Sequence, residues 1–134
     1  MSFIKRGRKD VVTLPVDNVH DGSGTINIRQ LLGCEPKLPM LPGFPEDFDT
    51  AMSFFMELDL PAGAVIGRHL HEGNEEIYYV LSGKGEMTVD SSTMVMEAGD
   101  ACLTKSGSEH TFKNIGDGEL RILVVEATLD ARKL

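Results

Sequence analysis

The chain is short of cysteine and of long apolar runs, and each shortage excludes a class of protein. Its two cysteines, Cys34 and Cys102, lie far apart and outside any Cys-x-x-Cys pair, which argues against a disulfide framework and against a zinc ribbon. The sequence has no apolar stretch of the roughly 18 residues that a membrane helix needs, so we predict no membrane partner. The basic N-terminus has no apolar segment behind it, so we expect no secretory signal and a cytoplasmic location.

Positive charge is also scarce. Thirteen Lys and Arg residues face 21 Asp and Glu residues, which gives a net charge of −8 and a pI near 4.9. Such a surface repels phosphate backbones, so no nucleic-acid partner is expected. The one basic cluster comprises Lys5, Arg6, Arg8 and Lys9. It could be a nucleic-acid arm, but we favour a solvated arm or one that docks in an oligomer.

The 134 residues suit one domain with one core. Four of the six prolines fall within residues 35–50, at every third position, which excludes both helix and sheet ladder there. We interpret this segment as a long surface loop, either a lid or a partner-contacting arm. We therefore predict that residues 1–50 form an N-terminal arm, a first strand and a Pro-rich loop packed on a β-barrel of residues 51–134.

Alternating apolar and polar residues dominate the rest of the chain. Residues 25–31 have a strand pattern, with Ile26 and Ile28 on one face and Gln30 as a further candidate for it, and residues 51–60 alternate with period two. Further strand-like segments follow at short intervals, and none has helical period and length. Short strands with frequent turn signals predict an all-β sandwich or barrel. These segments cover residues 64–71, 75–81, 85–90, 93–97, 100–105, 109–114 and 119–128.

Two histidines one residue apart give the strongest chemical signal. In a strand, His69 and His71 leave the same face, and the turn chemistry of residues 72–74 lets the chain fold back towards Glu76. Two imidazoles and a carboxylate at one point form a half-open site for a divalent metal. Glu75 is the alternative carboxylate; strand parity favours Glu76, which leaves Glu75 facing solvent or a partner.

Two longer motifs contain these residues and resemble the paired motifs of the cupin superfamily. The family's first motif has the form G-x5-H-x-H-x3,4-E-x6-G, and its second has the form G-x5-P-x-G-x2-H-x3-N. The resemblance spans roughly residues 50–128 and departs at one position, where Lys105 replaces the usual proline. The matching residues are Gly63, His69, His71, Glu76 and Gly83, followed by Gly99, Gly107, His110 and Asn114.

The resemblance implies a double-stranded β-helix, or jelly-roll, with one metal inside the barrel. Carried over position by position, the ligands are His69, His71, Glu76 and His110. Three imidazoles and a carboxylate suit one divalent transition metal per chain, which could be Fe, Mn, Ni, Co, Cu or Zn. The proline that Lys105 replaces shapes a turn and ligates nothing, so its loss does not affect the predicted metal site.

Several other side chains could have either a functional or a purely structural role. Tyr78 has the same parity as Glu76 and is a candidate general acid or base, although a core tyrosine is the commoner outcome. Arg29 and Arg121 could receive a substrate carboxylate, but exposed arginines are commoner. His20 is expected to be a surface residue without a role. The candidates for either pocket wall or core are Phe54, Met56, Val80 and Cys102.

Single-domain cupins of this size resemble dioxygenases, decarboxylases, isomerases and lyases. We favour a metal-dependent enzyme that acts on a small organic substrate, with the metal as Lewis acid or, if it is iron, as an oxygen-activating centre. The alternative is a non-catalytic cupin that binds or senses a small ligand or a metal. Fold analogy does not separate these chemistries. We also expect a homodimer, since barrel edges need cover.

Overall fold

The computed structural model describes residues 2–129 as two antiparallel sheets that face each other. The larger sheet has the strand order β1-β2-β3-β10-β5-β8, and the smaller has the order β4-β9-β6-β7. This is the predicted all-β jelly-roll. The strands are β1 (Thr13–Asp17), β2 (Thr25–Gly33), β3 (Met52–Leu60), β4 (Val65–Leu70), β5 (Asn74–Ser82), β6 (Lys84–Val89), β7 (Ser92–Glu97), β8 (Ala101–Thr104), β9 (Glu109–Asn114) and β10 (Leu120–Thr128).

The predicted strands from residue 25 onward are confirmed, with ends shifted by one or two residues. Strand β1 is a correction, because the first strand predicted from the sequence was that of residues 25–31. Pro15 lies inside it, opposite Asn27 of β2. β1 is the edge strand of the larger sheet, and an edge strand tolerates a proline because one side of its backbone needs no ladder partner.

The core lies between the two sheets and is built from the inward-facing side of each strand. On β3, the predicted alternation places Phe54, Met56, Leu58 and Leu60 inside, all at most 5% exposed. On β2, the predicted inward residues Ile26, Ile28 and Gln30 are likewise buried. The largest fully buried side chains also include Phe112, Ile66, Met87, Leu120, Ile122 and His110. Burial of these apolar side chains is the main term that stabilises the barrel.

The Pro-rich segment is a loop, as predicted. Between Gly33 and Met52 its one ladder contact is the isolated bridge from Gly33 to Phe44. The buried amide of Gln30 fastens the loop, because its Nε2 donates to the Pro42 carbonyl at 3.1 Å and its Oε1 accepts from the Glu35 N–H at 2.7 Å. Because β2 pairs directly with β3, residues before 50 extend the larger sheet. The domain boundary drawn at residue 50 stays a prediction, and residues 130–134 lie outside the described part.

The N-terminal arm bonds to its own chain. Arg6 pairs with Asp47 of the Pro-rich loop and lies over the Phe44 ring at 3.6 Å, and Arg8 donates to Glu57 of β3 at 2.6 Å. These contacts hold the arm against the outer face of the larger sheet. In the part of the chain described, no helix is long and apolar enough to cross a membrane.

Both expectations for Arg29 are wrong. Arg29 is only 5% exposed and donates to Glu57 at 2.9 Å and to Asp59 at 2.7 Å, on the outer face of β2 and β3. Arg121 of β10 donates to the same Asp59 at 2.6 Å. The carboxylates that pair with these two arginines therefore belong to β3. The sequence pattern of β3 does not show that its acidic residues have arginine partners.

Candidate metal centre

Three strands bring the four motif side chains to one point. His69 lies on β4 and His110 on β9, where the two residues are register partners; His71 follows β4 directly and Glu76 lies on β5. Strand parity turns Glu76 inward at 5% exposure, while Glu75 is exposed, as predicted. One ligand atom from each of the four residues lies within 4.8 Å of every other, so the cluster can hold a metal ion.

The spacing of these atoms suits a transition metal. His110 Nε2 lies 2.8 Å from His69 Nε2 and 2.9 Å from His71 Nε2. Glu76 Oε1 lies 3.3 Å from the Nε2 atoms of both His71 and His110. Two neighbouring ligands at right angles, each about 2.1 Å from one ion, are about 3 Å apart. The four atoms therefore stand at the separations of adjacent coordination positions.

The far side of each imidazole is held by an oxygen. His69 Nδ1 lies 2.7 Å from the Gly67 carbonyl, His71 Nδ1 lies 2.7 Å from Asn74 Oδ1, and His110 Nδ1 lies 2.7 Å from Thr104 Oγ1. The carbonyl can only accept, so Nδ1 of His69 carries the proton and Nε2 keeps a lone pair. Metal-ligating histidines show this arrangement, in which an outer acceptor fixes the tautomer and ring plane.

With the same tautomer at all three histidines, three nitrogen lone pairs and a carboxylate face one another. Such atoms repel at 2.8 to 3.3 Å unless a cation lies between them. The chemistry of the donor set therefore fits a divalent ion, and these residues satisfy what the metal implied by the resemblance requires.

The electrostatics keep two of the four donors, His69 and Glu76, unprotonated. Burial lowers the pKa of His69 to about 3. Burial alone would raise the pKa of Glu76, but contacts from His110 and His71 outweigh it and lower that pKa to about 2. For His71, contact with Glu76 outweighs burial and raises the pKa. An ionised carboxylate beside a neutral His69 is the protonation state that binds a cation.

The turn that contains Lys105 forms without the proline of the motif. The Ser108 N–H donates to the Lys105 carbonyl at 3.1 Å, and the Gly107 N–H donates to the His71 carbonyl at 2.6 Å. Gly107 has a φ of +95°, which glycine adopts readily. The second motif is therefore tied to the first through its backbone, next to the candidate ligands.

A cavity of about 40 Å³ reaches this cluster. Glu76, Tyr78, His20, Glu35 and Lys37 supply its polar walls. Its apolar walls include Ile28, Met56, Leu58, Ile66 and Val124, so Met56 is both core and wall, whereas Phe54 and Val80 are core only. The space suits a ligand of a few heavy atoms. Burial raises the pKa of the Tyr78 phenol well above its usual value, so the group keeps its proton and can donate but not act as a base.

A second and wider cavity, about 310 Å³, lies behind His71. Asn74 and Glu126 line it, together with Glu35 and Lys37, which also line the first cavity, and with Cys34. Glu126 Oε1 lies 3.9 Å from His71 Nδ1. Burial, with the charges of Glu35 and Glu76, raises the pKa of Glu126 to about 8.

Two side chains behave differently from expectation or were left open. His20 is exposed, as expected, and its ring stacks on that of His69 at 3.6 Å with an interplanar angle of 10°, a contact that was not expected. No sequence pattern marks this contact. Cys102 is half-buried, packs against the core, and does not line the 40 Å³ cavity.

Comparisons with known proteins agree with this geometry. Residues 56–126 match the family model described as the cupin domain. An oxalate-binding protein of Thermotoga maritima is 32% identical over 110 residues, which cover 82% of each chain. An uncharacterized protein of Methanocaldococcus jannaschii is 37% identical over 67 residues, which cover 50% of this chain and 54% of that one.

Solved structures show the same architecture. The crystal structure of a predicted oxalate decarboxylase of Thermotoga maritima superposes with a TM-score of 0.79 and 28% identity, covering 94% of this chain and all of that one. The structure of KdgF from Halomonas sp. matches with a TM-score of 0.62 at 16% identity, and covers 92% of this chain. The second likeness concerns the fold alone.

Proposed function

Because this chain belongs to the cupin family, we propose that it binds one divalent transition metal and acts as an enzyme on a small carboxylate compound. The ligands in this proposal are His69, His71, Glu76 and His110. The observation that supports it most strongly is the convergence of three imidazole Nε2 atoms and one carboxylate oxygen. In addition, the Nδ1 atom of each imidazole contacts an oxygen on the far side of the ring. A bound divalent ion would supply a Lewis acid that polarises a ligand oxygen.

The ligand class follows from the cavity and from one relative. The cavity of about 40 Å³ admits only a few heavy atoms, and it contains one lysine among its walls. Within residues 2–129, the Lys37 ammonium forms no ion pair within 4 Å, so its charge is available to an anion. The relative of 32% identity is named an oxalate-binding protein, which supports a small dicarboxylate here. One end would meet the metal and the other would face Lys37.

Tyr78 is proposed as the group that donates a hydrogen bond or a proton to the bound compound. Its buried phenol lines the same cavity as Glu76, and its raised pKa keeps the proton in place. We expect Tyr78→Phe to lower turnover more than it lowers ligand affinity, because the proton is needed chiefly in the reaction.

Binding is tested by calorimetry with oxalate and the metal-loaded protein. We expect one oxalate per metal-loaded chain and none for the His110→Ala variant. Lys37→Met should weaken oxalate binding about tenfold, because a hydrogen-bonded charge pair is lost. Lys113→Met makes the same change on an exposed lysine of β9 and should not alter binding. Equal affinity in the two lysine variants would contradict the role given to Lys37.

The second candidate function is binding without turnover, and the name of the oxalate-binding relative favours it. Incubation of the metal-loaded protein with ¹³C-labelled oxalate in air, followed by NMR, separates the two. If the oxalate signal is lost with the parent protein but not with a His69→Ala variant, the protein is an enzyme. A signal that persists despite stoichiometric binding supports the binding protein.

A homodimer is part of the proposal. The outer face of the larger sheet presents a row of apolar residues across four strands, since Phe55 pairs with Val125, Val125 with Ile77 and Ile77 with Leu103. Ile77 and Leu103 are 39% and 47% exposed. The row ends at β8, an edge strand with free backbone groups, and edge strands need cover. A second copy of this chain, seated on this row, would cover both.

A further inference from the structure

The ring of His20 covers the most exposed of the four candidate ligands. His71 and His110 are 3% and 0% exposed, whereas His69 is only partly buried. The imidazole of His20 lies parallel to that of His69, with centroids 3.6 Å apart. The Nδ1 edge of the His69 ring is fixed by the Gly67 carbonyl oxygen, which lies 2.7 Å from Nδ1. His69 is thus held by one hydrogen bond and one stacked ring.

The backbone that presents His20 is itself unusual. His20 has φ 51° and ψ 43°, in the left-handed region, and Asn18 and Asp21 also have positive φ. Side chains other than glycine adopt this conformation at a cost, which the surroundings must offset. The neighbouring Val19 is 8% exposed and belongs to the core, so the segment is anchored from inside.

This segment is also tied directly to strand β4, which carries His69. The Ser23 N–H donates to the Val65 carbonyl at 3.0 Å, and the Val65 N–H donates back to the Ser23 carbonyl at 2.9 Å. At Gly67 an added Cβ would lie 2.0 Å from the His20 carbonyl oxygen, so the two backbones approach as closely as glycine permits. His20 and the acceptor of His69 therefore lie on two backbone segments that are fastened to each other.

The stack excludes His20 as a fifth metal ligand. A metal bound to His69 Nε2 lies near the plane of that ring, along the direction of the nitrogen lone pair. The His20 ring is within 10° of parallel to this plane and displaced from it by the stacking distance. The nitrogen lone pairs of His20 are therefore directed parallel to the His69 plane and not towards the metal position. What remains for His20 is to hold the orientation of His69.

We propose that His20 is a positioning residue, which by stacking fixes the ring plane of His69 and thereby sets the affinity and geometry of the metal centre. The inference rests on the proposed metal site. Supporting residues around metal ligands usually change metal affinity about 10- to 100-fold when they are removed.

Two substitutions test this with Co²⁺ as the probe. His20→Asn removes the ring, and asparagine tolerates the left-handed backbone. His20→Phe keeps a ring for stacking and removes both nitrogens. The dissociation constant for Co²⁺, from competition with a chelator, and the visible absorption of the Co²⁺ protein are measured for each. Circular dichroism of the metal-free variants checks that they are folded.

We expect His20→Asn to weaken Co²⁺ binding about tenfold and to shift the Co²⁺ absorption bands. His20→Phe should stay within about twofold of the parent protein and retain its bands, since the stack remains. Unchanged affinity and bands in His20→Asn would overturn the proposal, as would a His20→Phe variant as weak as His20→Asn. If the parent protein itself failed to bind Co²⁺, the proposed metal site would be wrong, which is a separate result.

Discussion

The acceptors behind the three imidazoles are the smallest features on which the proposed function depends. Each Nδ1 meets an oxygen of a different kind, namely a backbone carbonyl, an amide and a hydroxyl. The Gly67 carbonyl and the Asn74 amide oxygen can only accept from Nδ1 and so leave Nε2 free to bind a cation, and the Thr104 hydroxyl does the same for His110 when it accepts. If these oxygens orient the imidazoles for metal binding, removing one of them should lower the metal affinity although all four ligands remain.

Thr104→Val tests this at the buried hydroxyl. Thr104 is 0% exposed and its Oγ1 lies 2.7 Å from His110 Nδ1, so valine of similar shape removes only the hydrogen bond. We expect Zn²⁺ affinity to fall about 10- to 100-fold in chelator competition. Thr88→Val makes the same change on β6, where the hydroxyl lies on the outer face and contacts Thr93, and should leave affinity unchanged. Equal affinities in the two variants would contradict the role of Thr104.

At the residue scale, strand parity made most of the candidate ligand cluster predictable. His69, His71 and Glu76 follow from periods of two and from a turn, because neighbouring strands bring such residues together. His20 was not predictable, since its contact depends on three left-handed residues and on the approach of Gly67, which no period marks. The partners of the imidazoles were equally hidden, because they depend on rotamers and not on spacing.

At the scale of elements, β3 carries charge on one face and core on the other. Glu57 and Asp59 are each 5% exposed, yet they face away from the barrel interior. Arg29 bonds to both, Arg8 bonds to Glu57 and Arg121 bonds to Asp59. This charged cluster joins β2, β3, β10 and the N-terminal arm across the outer face of the sheet.

Removing Arg29 should be costly. Loss of one partner from a buried ion pair leaves an uncompensated charge and typically lowers the free energy of unfolding by about 3–5 kcal/mol. The side chains of Arg29, Glu57 and Asp59 are all 6% exposed, so the pair counts as buried. We expect an effect of this size for Arg29→Met in urea unfolding at neutral pH. A change below about 1 kcal/mol would show that the cluster contributes little.

The same cluster predicts a dependence of stability on pH. Burial alone would raise the pKa values of Glu57 and Asp59, but hydrogen bonds from Arg8, Arg121 and Arg29 outweigh it and lower both. A carboxyl with a lowered folded-state pKa stabilises the fold above the unfolded-state value of about 4, and this stability is lost as the pH falls through the folded-state pKa. The difference between the parent and Arg29→Met should therefore narrow as the pH drops below about 4. A difference that grew on acidification would contradict this account.

Most strands could be predicted from the sequence, but two features of the sheet could not. Strand β1 was missed because residues 1–24 are polar and rich in turn residues, and its Pro15 is tolerated because β1 lies at the edge of the sheet. The environment of the charged outer face of β3 was not predictable, because alternation does not show that arginines from three other segments cover it.

At the scale of the whole molecule, the outer face of the larger sheet divides into two parts. The part over β2 and β3 is covered by the arm and the charged cluster. The part over β10, β5 and β8 exposes the apolar row that ends at Leu103. The arm, which the sequence suggested as an oligomer contact, bonds to its own chain, so the proposed dimer is expected to form through the apolar row.

Light scattering after gel filtration tests the dimer. The parent protein should have twice the mass of the chain, and Ile77→Glu should be a monomer, because a charge at the centre of the row cannot be buried without a partner. Val95→Glu places the same charge on an exposed residue of β7 and should remain dimeric. A monomeric parent, or an Ile77→Glu dimer, would show that this face is not the interface.

The central claim is that one metal ion lies among His69, His71, Glu76 and His110. Crystals of protein purified without added metal, with diffraction recorded on both sides of the absorption edge of the metal found by elemental analysis, test it most directly. We predict one anomalous peak per chain, about 2.1 Å from the three Nε2 atoms and from one oxygen of Glu76. A peak elsewhere, or no peak in crystals soaked with Zn²⁺ or Co²⁺, would contradict the account.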